Sequence, residues 1–304
     1  MSDLLLDPQH AREPLQDSFS DEANPVGLDG IEFIEYSTSK PQALGQVLEM
    51  MGFRPVARHR SREVLLYRQG ALNIVIDAHD PAQEQPAISA IGLRVRDARA
   101  AYRHVLERGA WEVPTHPEAM ELNIPAIHGV GGTRIYFIDR YREFSIYDVD
   151  FIPIPSVDAK PPAVAGMHFF GVVQYIGALR SEDWIQFYGE LFGMEVIPDE
   201  QRFGIMPAGK LLRAPGLAPG TGFMLQLIEP DIDSEDSGER LQRIGLGVPD
   251  VLEAVRALRA LGMEFVETRA AHTEQRGALT RTYLGSVVFE LVHSELPGKS
   301  GGGA

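Results

Sequence analysis

The sequence contains no cysteine in its 304 residues, which excludes disulfide bonds, thiolate-bound metals and cysteine nucleophiles. No apolar stretch approaches the roughly 20 residues that a helix needs to cross a bilayer. The N-terminal segment also lacks the basic and apolar regions of a signal peptide. These absences predict a cytoplasmic protein that does not insert into a membrane.

Basic residues are also scarce, since 28 Lys and Arg stand against 43 Asp and Glu and give a formal net charge of −15. Such a surface repels nucleic acids and anionic membranes, so we expect neither as a partner. The GxSxG, P-loop and dinucleotide-binding signatures are missing as well. A small-molecule substrate is the expected partner, and a homo-oligomer is compatible with the sequence.

What the sequence does contain is an internal repeat. The stretches "AIGLRVRDARAAYRHVLERGAWEV" (90–113) and "RIGLGVPDVLEAVRALRALGMEFV" (243–266) align without a gap. Each reads as a strand, an Asp at a helix N-cap (Asp97 or Asp250), an amphipathic helix, a Gly stop and a second strand. The repeat therefore predicts two copies of one module.

A second pair of similar stretches lies upstream of these copies. Residues 30–56 resemble residues 166–197, with an insertion near 175–181, and both read strand, turn, helix, Gly, strand. Two small βαβββ units must pair to cover their apolar sheet faces. We therefore predict an α+β fold of tandem paired βαβββ modules that form two half-open barrels of antiparallel-type sheet with outer helices.

The composition divides the chain into five segments. Residues 1–26 are polar and contain proline, which predicts a disordered lead-in, and residues 297–304 predict a flexible tail. The proline-rich stretch 153–165 predicts a linker. It separates an N-terminal domain, 27–152, from a C-terminal domain, 166–296.

Strand alternation predicts which side chains face the two cavities. The repeats predict equivalent positions in the two halves, Glu32, Ala90 and Asp148 in the first and His168, Arg243 and Glu290 in the second. A His–His–carboxylate set would form a facial triad for non-haem Fe(II). The first set contains Ala90, so we predict that its two carboxylates are not catalytic.

A resemblance to a known family rests on four stretches of the first half, "DGIEFIEYSTSKP", "MGFRPVARHRSREVLLYRQGALNIVI", "AMELNIPAIHGVGG" and "SIYDVDF". They resemble bacterial 4-hydroxyphenylpyruvate dioxygenase, of the vicinal oxygen chelate superfamily, densely over about 28–152. The likeness continues to about 294 through "WIQFYGELFGMEV", "LQRIGLGVPDV" and "VVFELV". It implies a dioxygenase of aromatic amino acid catabolism that uses Fe(II), O2 and an aromatic 2-oxo acid.

The resemblance also implies that two histidines and a glutamate of the second half hold the iron. His168 matches the first histidine and Glu290 matches the glutamate, whereas the second histidine position holds Arg243. Arginine stays protonated and has no lone pair to offer a metal. If the strand is shifted in register, Gly171 takes the position of the first ligand instead of His168.

Three alternatives remain open for these residues. Arg243 forms a salt bridge with Glu290, because its planar guanidinium suits a carboxylate, or it binds the carboxylate of a 2-oxo acid. His272 would swing in from its loop as a replacement ligand. Gln226 alternates into the same cavity, where we predict that it contacts the substrate.

Two functions follow from these observations. The first is an iron-dependent dioxygenase like 4-hydroxyphenylpyruvate dioxygenase, with Fe(II) held by His168 and Glu290 and with Arg243 and Gln226 at the substrate. The alternative is a metal-free paralogue that binds a small aromatic or oxo-acid ligand without turning it over, with Arg243 paired to Glu290 or to the ligand.

Overall fold

A computed structural model of the chain describes residues 23–78, 85–114, 121–198, 209–217, 221–230, 238–266 and 277–294. Most of the predicted lead-in, up to residue 22, and the whole predicted tail, 297–304, lie outside these ranges. Within the ranges, no helix is long and apolar enough to cross a membrane.

The described part of the first half contains eight strands and three helices. In chain order they are β1 Leu28–Ser37, α1 Pro41–Met50, β2 Arg54–His59, β3 Val64–Gln69, β4 Leu72–Asp77, β5 Ala87–Val95, α2 Ala98–Glu107, β6 Ala126–His128, β7 Arg134–Ile138, α3 Ile146–Asp150 and β8 Phe151–Pro153. Helix α2 begins where predicted, because the Asp97 side chain accepts a hydrogen bond from the Ala100 N–H. This bond satisfies one of the free donors of the first turn.

The second half repeats the strand–helix alternation. Its elements are β9 His168–Tyr175, α4 Ser181–Phe192, β10 Glu195–Val196, β11 Lys210–Arg213, β12 Met224–Ile228, β13 Arg240–Val248, α5 Val251–Ala260, β14 Ala278–Leu279 and β15 Phe289–His293. Asp250 caps α5 as Asp97 caps α2, through the Glu253 N–H. Helix α4 ends at Gly193, whose φ of 67° is the left-handed conformation that glycine adopts readily.

Strand pairing confirms the duplication. In the first half β1 pairs antiparallel with β5 and parallel with β4, and β5 pairs parallel with β7. In the second half β9 pairs antiparallel with β13 and parallel with β12, and β13 pairs parallel with β15. The sheets are therefore mixed rather than of the antiparallel type that we expected, and the α+β class is as predicted.

The two halves share one sheet and one core. Strand β13 pairs with β5 at Leu241 and Ile88, and the rings of Phe137 and Phe192, one from each half, stack with centroids 6.3 Å apart. The predicted linker, 153–165, lies between β8 and β9. The division into two domains stays a prediction, because the core is continuous across it.

A second, smaller apolar cluster lies in the first half alone. It includes Phe33 of β1, Val75 of β4 and Tyr147 of α3, whereas the neighbours of Phe33 and Val75 along their strands belong to the main core. Alternating side chains of one strand point to opposite faces of a sheet. The first-half sheet is therefore apolar on both faces, one against the helices and one toward a cavity.

Candidate functional site

The pairing of the strands identifies the equivalent positions of the two halves. Gly245 of β13 pairs with Gly171 on β9 and with Glu290 on β15. Its counterpart Gly92 of β5 pairs with Phe33 on β1 and with Tyr136 on β7. The gapless alignment of 90–113 with 243–266 therefore agrees with the structure, and it makes Ala90 the counterpart of Arg243.

Two of the predicted equivalences are wrong. Asp148 does not lie on a strand: it belongs to α3, is exposed, and forms a capping box with Ser145. The counterpart of Glu290 is Tyr136, because β7 and not "FSIYDVDF" pairs with β5. Alternating apolar residues over so short a stretch also fit a single helical turn, which led to the error.

Glu32 is buried, but it is not the counterpart of His168, because Phe33 aligns with Gly171. Its carboxylate forms an ion pair with Arg94 and accepts a hydrogen bond from Asn73 Nδ2 at 3.2 Å. Burial raises the pKa of Glu32, although Arg94 opposes this shift. The predicted Glu32–Asp148 pair is therefore replaced by a Glu32–Arg94 ion pair.

In the second half, Arg243 and Glu290 form the ion pair that was one of the alternatives. Arg243 is 3% exposed and Glu290 is 4% exposed, and the Arg243 Nε donates to Glu290 Oε2 at 2.8 Å. The Arg243 Nη1 donates to Gln242 Oε1 at 3.0 Å. The remaining nitrogen, Nη2, is buried and has no hydrogen-bond partner among the described residues.

His168 lies at the start of β9 and is not level with Glu290. It pairs with Gly247, two residues along β13 from the Gly245 that pairs with Glu290. Two residues span roughly 6.8 Å of a strand. The imidazole lies 3.1 Å from Ser294 Oγ and 3.3 Å from the Gly166 carbonyl, and burial lowers its pKa. The structure therefore does not bring His168 to Glu290, and its role as a ligand stays a prediction.

Gly171 is level with Glu290 in the sheet, but the backbone leaves no space for a side chain there. A Cβ on Gly171 would lie 2.1 Å from the carbonyl oxygen of Met224 on β12. The equivalent atom on Gly245 would have no neighbour closer than 3.5 Å. Position 171 therefore provides no metal ligand and accepts none without a shift of β12.

A small cavity lies beside Glu290. Its volume is about 30 Å³ and its walls include Gly171, Gln226 and Glu290, so Gln226 faces the cavity as strand alternation predicted. This space holds one or two waters or a group as small as a carboxylate. His272, the predicted replacement ligand, lies outside the described residues.

Two family models match the chain. Residues 22–152 match the family described as "Hydroxyphenylpyruvate dioxygenase, HPPD, N-terminal", and residues 178–282 match the "Glyoxalase/Bleomycin resistance protein/Dioxygenase superfamily". Together with the duplicated sheet, these matches define the class of the protein as the vicinal oxygen chelate fold of glyoxalases and related dioxygenases.

Curated relatives narrow this class. The 4-hydroxyphenylpyruvate dioxygenase of Pseudomonas sp. (strain P.J. 874) is 33% identical over 266 residues, which are 80% of this chain and 72% of that protein. Hemolysin VllY of Vibrio vulnificus (strain CMCP6) is 34% identical over 275 residues, 82% of this chain and 74% of that protein. The chain belongs to the 4-hydroxyphenylpyruvate dioxygenase family. The predicted resemblance to these dioxygenases is confirmed.

Solved structures show the same fold at lower identity. A 4-hydroxymandelate synthase variant from Streptomyces coelicolor has a TM-score of 0.67 at 16% identity, over 87% of this chain and 92% of that one. A fusion of a xylose isomerase-like TIM barrel with a 4-hydroxyphenylpyruvate dioxygenase has a TM-score of 0.69 at 22% identity. The match covers 91% of this chain and 50% of the fusion. These two likenesses support the fold.

Proposed function

We propose that the chain recognises a small aromatic 2-oxo acid in its second half, and that Arg243 receives the carboxylate of that acid. The observation that carries this proposal is the buried Nη2 of Arg243, which has no hydrogen-bond partner among the described residues. A buried donor without an acceptor costs about 1–3 kcal/mol. A ligand carboxylate would supply the missing acceptor.

The chemistry of a 2-oxo acid suits this position. Its carboxylate is planar and matches the fork of a guanidinium, and the small cavity beside Glu290 has room for a group of that size. Phe170 and Met224 lie in the wall of the cavity and offer apolar surface for the rest of the ligand. Relatives named for 4-hydroxyphenylpyruvate, an aromatic 2-oxo acid, support the same substrate class.

The iron that the family implies does not fit the described residues. Gly171 and Gly245, which are level with Glu290 in the sheet, have no side chain. Arg243 has no lone pair to offer, so among these four positions Glu290 alone offers a ligand atom. No group of three His, Asp or Glu side chains that could hold a metal occurs in the described part of the chain. We therefore derive no reaction step through iron.

Two outcomes of binding are candidates. Reaction of the acid with O2 is favoured by the relatives, several of which are named 4-hydroxyphenylpyruvate dioxygenase. It would require ligands for iron beyond those described, with His168 and His272 as the predicted sources. Binding without turnover is the alternative that the ion pair of Arg243 with Glu290 suggests, and the relatives do not favour it.

The experiment measures binding, metal content and O2 consumption on one preparation. Calorimetry with phenylpyruvate should show one site, and Arg243→Gln should weaken it at least tenfold because the guanidinium is lost. Arg240→Gln is the matched control, since Arg240 lies on the same strand and stacks over Tyr175. Equal binding by wild type and Arg243→Gln contradicts the proposal.

Metal analysis after loading with Fe(II), followed by an oxygen electrode with 4-hydroxyphenylpyruvate, separates the two outcomes. About one iron per chain together with O2 consumption identifies the dioxygenase. Binding of the acid with neither iron nor O2 consumption identifies the metal-free protein.

A further inference from the structure

A second cavity lies in the first half, which the proposed function does not use. Its volume is about 260 Å³, against about 30 Å³ for the cavity beside Glu290. The larger one has room for a ligand on the order of ten non-hydrogen atoms. A cavity of this size, walled by charged and aromatic side chains, has the character of a ligand site.

Aromatic rings form much of its wall. Phe33 and Tyr136 lie with centroids 5.9 Å apart, and Tyr147 packs edge-on against Phe151 at 5.6 Å. All four line the cavity. Tyr147 is also buried. These walls suit an aromatic or apolar body with a polar end.

The charged residues of the wall are unequal in number. Four carboxylates face two guanidiniums and one imidazole, namely Glu35, Asp77, Glu121 and Asp150 against Arg62, Arg134 and His59. Both guanidiniums are already engaged, since Arg62 pairs with Glu121 and Arg134 pairs with Glu35. The wall therefore has two more carboxylates than guanidiniums, and it favours a cation over an anion.

Two of the acidic groups of the wall are desolvated. Burial raises the pKa of Glu35, although Arg134 and Ser89 oppose the shift, and burial also raises the pKa of Asp150. Asp150 is 8% exposed and accepts one hydrogen bond, at 3.2 Å from the Leu122 N–H. A positive charge placed beside these groups would favour their ionised form.

We propose that the first-half cavity binds a small organic amine, with its ammonium group at Asp150 and its aromatic or apolar body between Phe33, Tyr136 and Tyr147. Ammonium groups are attracted both to carboxylates and to the faces of aromatic rings. A metal ion is a poorer fit, because no three His, Asp or Glu side chains of the described residues converge to hold one.

A matched series of ligands tests this on the wild-type chain. Phenethylamine, 2-phenylethanol and 3-phenylpropionate share one aromatic body and end in a cation, a neutral group and an anion. Calorimetry should give one site for the amine and at least tenfold weaker binding of the alcohol. Equal or tighter binding of the alcohol, or no binding of the amine, overturns the proposal.

Two variants locate the site. Asp150→Asn removes the charge while keeping an oxygen for the Leu122 N–H, and it should weaken amine binding at least fivefold. Asp148→Asn removes the same charge from an exposed position of the same helix, and it should leave amine binding unchanged. Equal effects of the two variants, or none from Asp150→Asn, would show that the amine does not bind here.

The Arg243→Gln variant distinguishes this proposal from the proposed function. It should leave amine binding unchanged while it weakens binding of the 2-oxo acid. Binding of the 3-phenylpropionate anion is assigned to the second half if Arg243→Gln removes it. If it survives that substitution and Asp150→Asn strengthens it, the first-half cavity prefers anions and the proposal is wrong.

Discussion

Removal of Arg243 alone should destabilise the fold strongly. Arg243→Met keeps a side chain of similar length but leaves the Glu290 carboxylate, 4% exposed, without its guanidinium. An uncompensated buried charge typically costs about 3–5 kcal/mol. We expect a loss of this size in the free energy of unfolding near neutral pH.

Removal of both partners should be far less costly. In the double variant Arg243→Met, Glu290→Leu neither charge remains, and replacing a buried ion pair by apolar side chains is often neutral or stabilising. Glu290→Leu alone should cost about as much as Arg243→Met, since it leaves a buried guanidinium. Since each single loss is about 3–5 kcal/mol and the double variant is close to neutral, the two single losses together should exceed the loss of the double variant by about 6 kcal/mol or more.

Urea unfolding followed by tryptophan fluorescence measures these quantities. Trp184 is 8% exposed and packs in the core, so its emission reports unfolding, whereas Trp111 is 79% exposed and changes little. If the single losses add up to the loss of the double variant, the two charges do not interact in solution. A loss below about 1 kcal/mol for Arg243→Met would show that the pair is solvated, as surface pairs are.

Three further predictions concern the same strands. Gly171→Ala should lower the free energy of unfolding by at least about 2 kcal/mol, because its Cβ would lie 2.1 Å from the Met224 carbonyl oxygen. Gly245→Ala is the matched control, with no neighbour closer than 3.5 Å, and it should change that free energy by less than about 1 kcal/mol. Similar losses for the two variants in urea unfolding would contradict this. Burial lowers the pKa of His168 below its ordinary 6.5, so the unfolded chain binds that proton more readily than the folded chain. The stability that is present above pH 6.5 should therefore be lost as the pH falls. The same pH dependence in His168→Asn would refute the assignment to this residue. Arg243→His adds one imidazole beside Glu290, and two protein ligands should still hold Fe(II) weakly; about one tightly bound iron per chain in metal analysis would reveal a third ligand.

The parts of the fold that the sequence predicts well are those with a local signal. The gapless alignment of 90–113 with 243–266 shows the duplication, and Asp97 and Asp250 set the starts of two helices through their own side chains. These features depend on residues a few positions apart. The sheet pairing between distant strands is not visible in the same way, which is why the parallel pairs were missed.

The site was harder to predict because register decides which residues meet. Aligning Gly30 with Gly166 matches Glu32 to His168, whereas the strand pairing matches Phe33 to Gly171. Irregular pairings interrupt the alternation of β1, β9 and β13, and nothing in the local composition marks them. The Arg243–Glu290 pair could be predicted, because a buried carboxylate requires a partner whatever the register.

The duplicated sheet also explains how a metal site can change while the fold persists. Val172, Ile244 and Leu291 belong to the core that the two halves share. Each follows, along its strand, one of the site positions Gly171, Arg243 and Glu290, none of which contributes to that core. Adjacent residues of a strand point to opposite faces, so the side chains of the site point away from the core beneath it. A guanidinium that takes the place of an imidazole must then satisfy only its own charge, and Glu290, already on the neighbouring strand, does so.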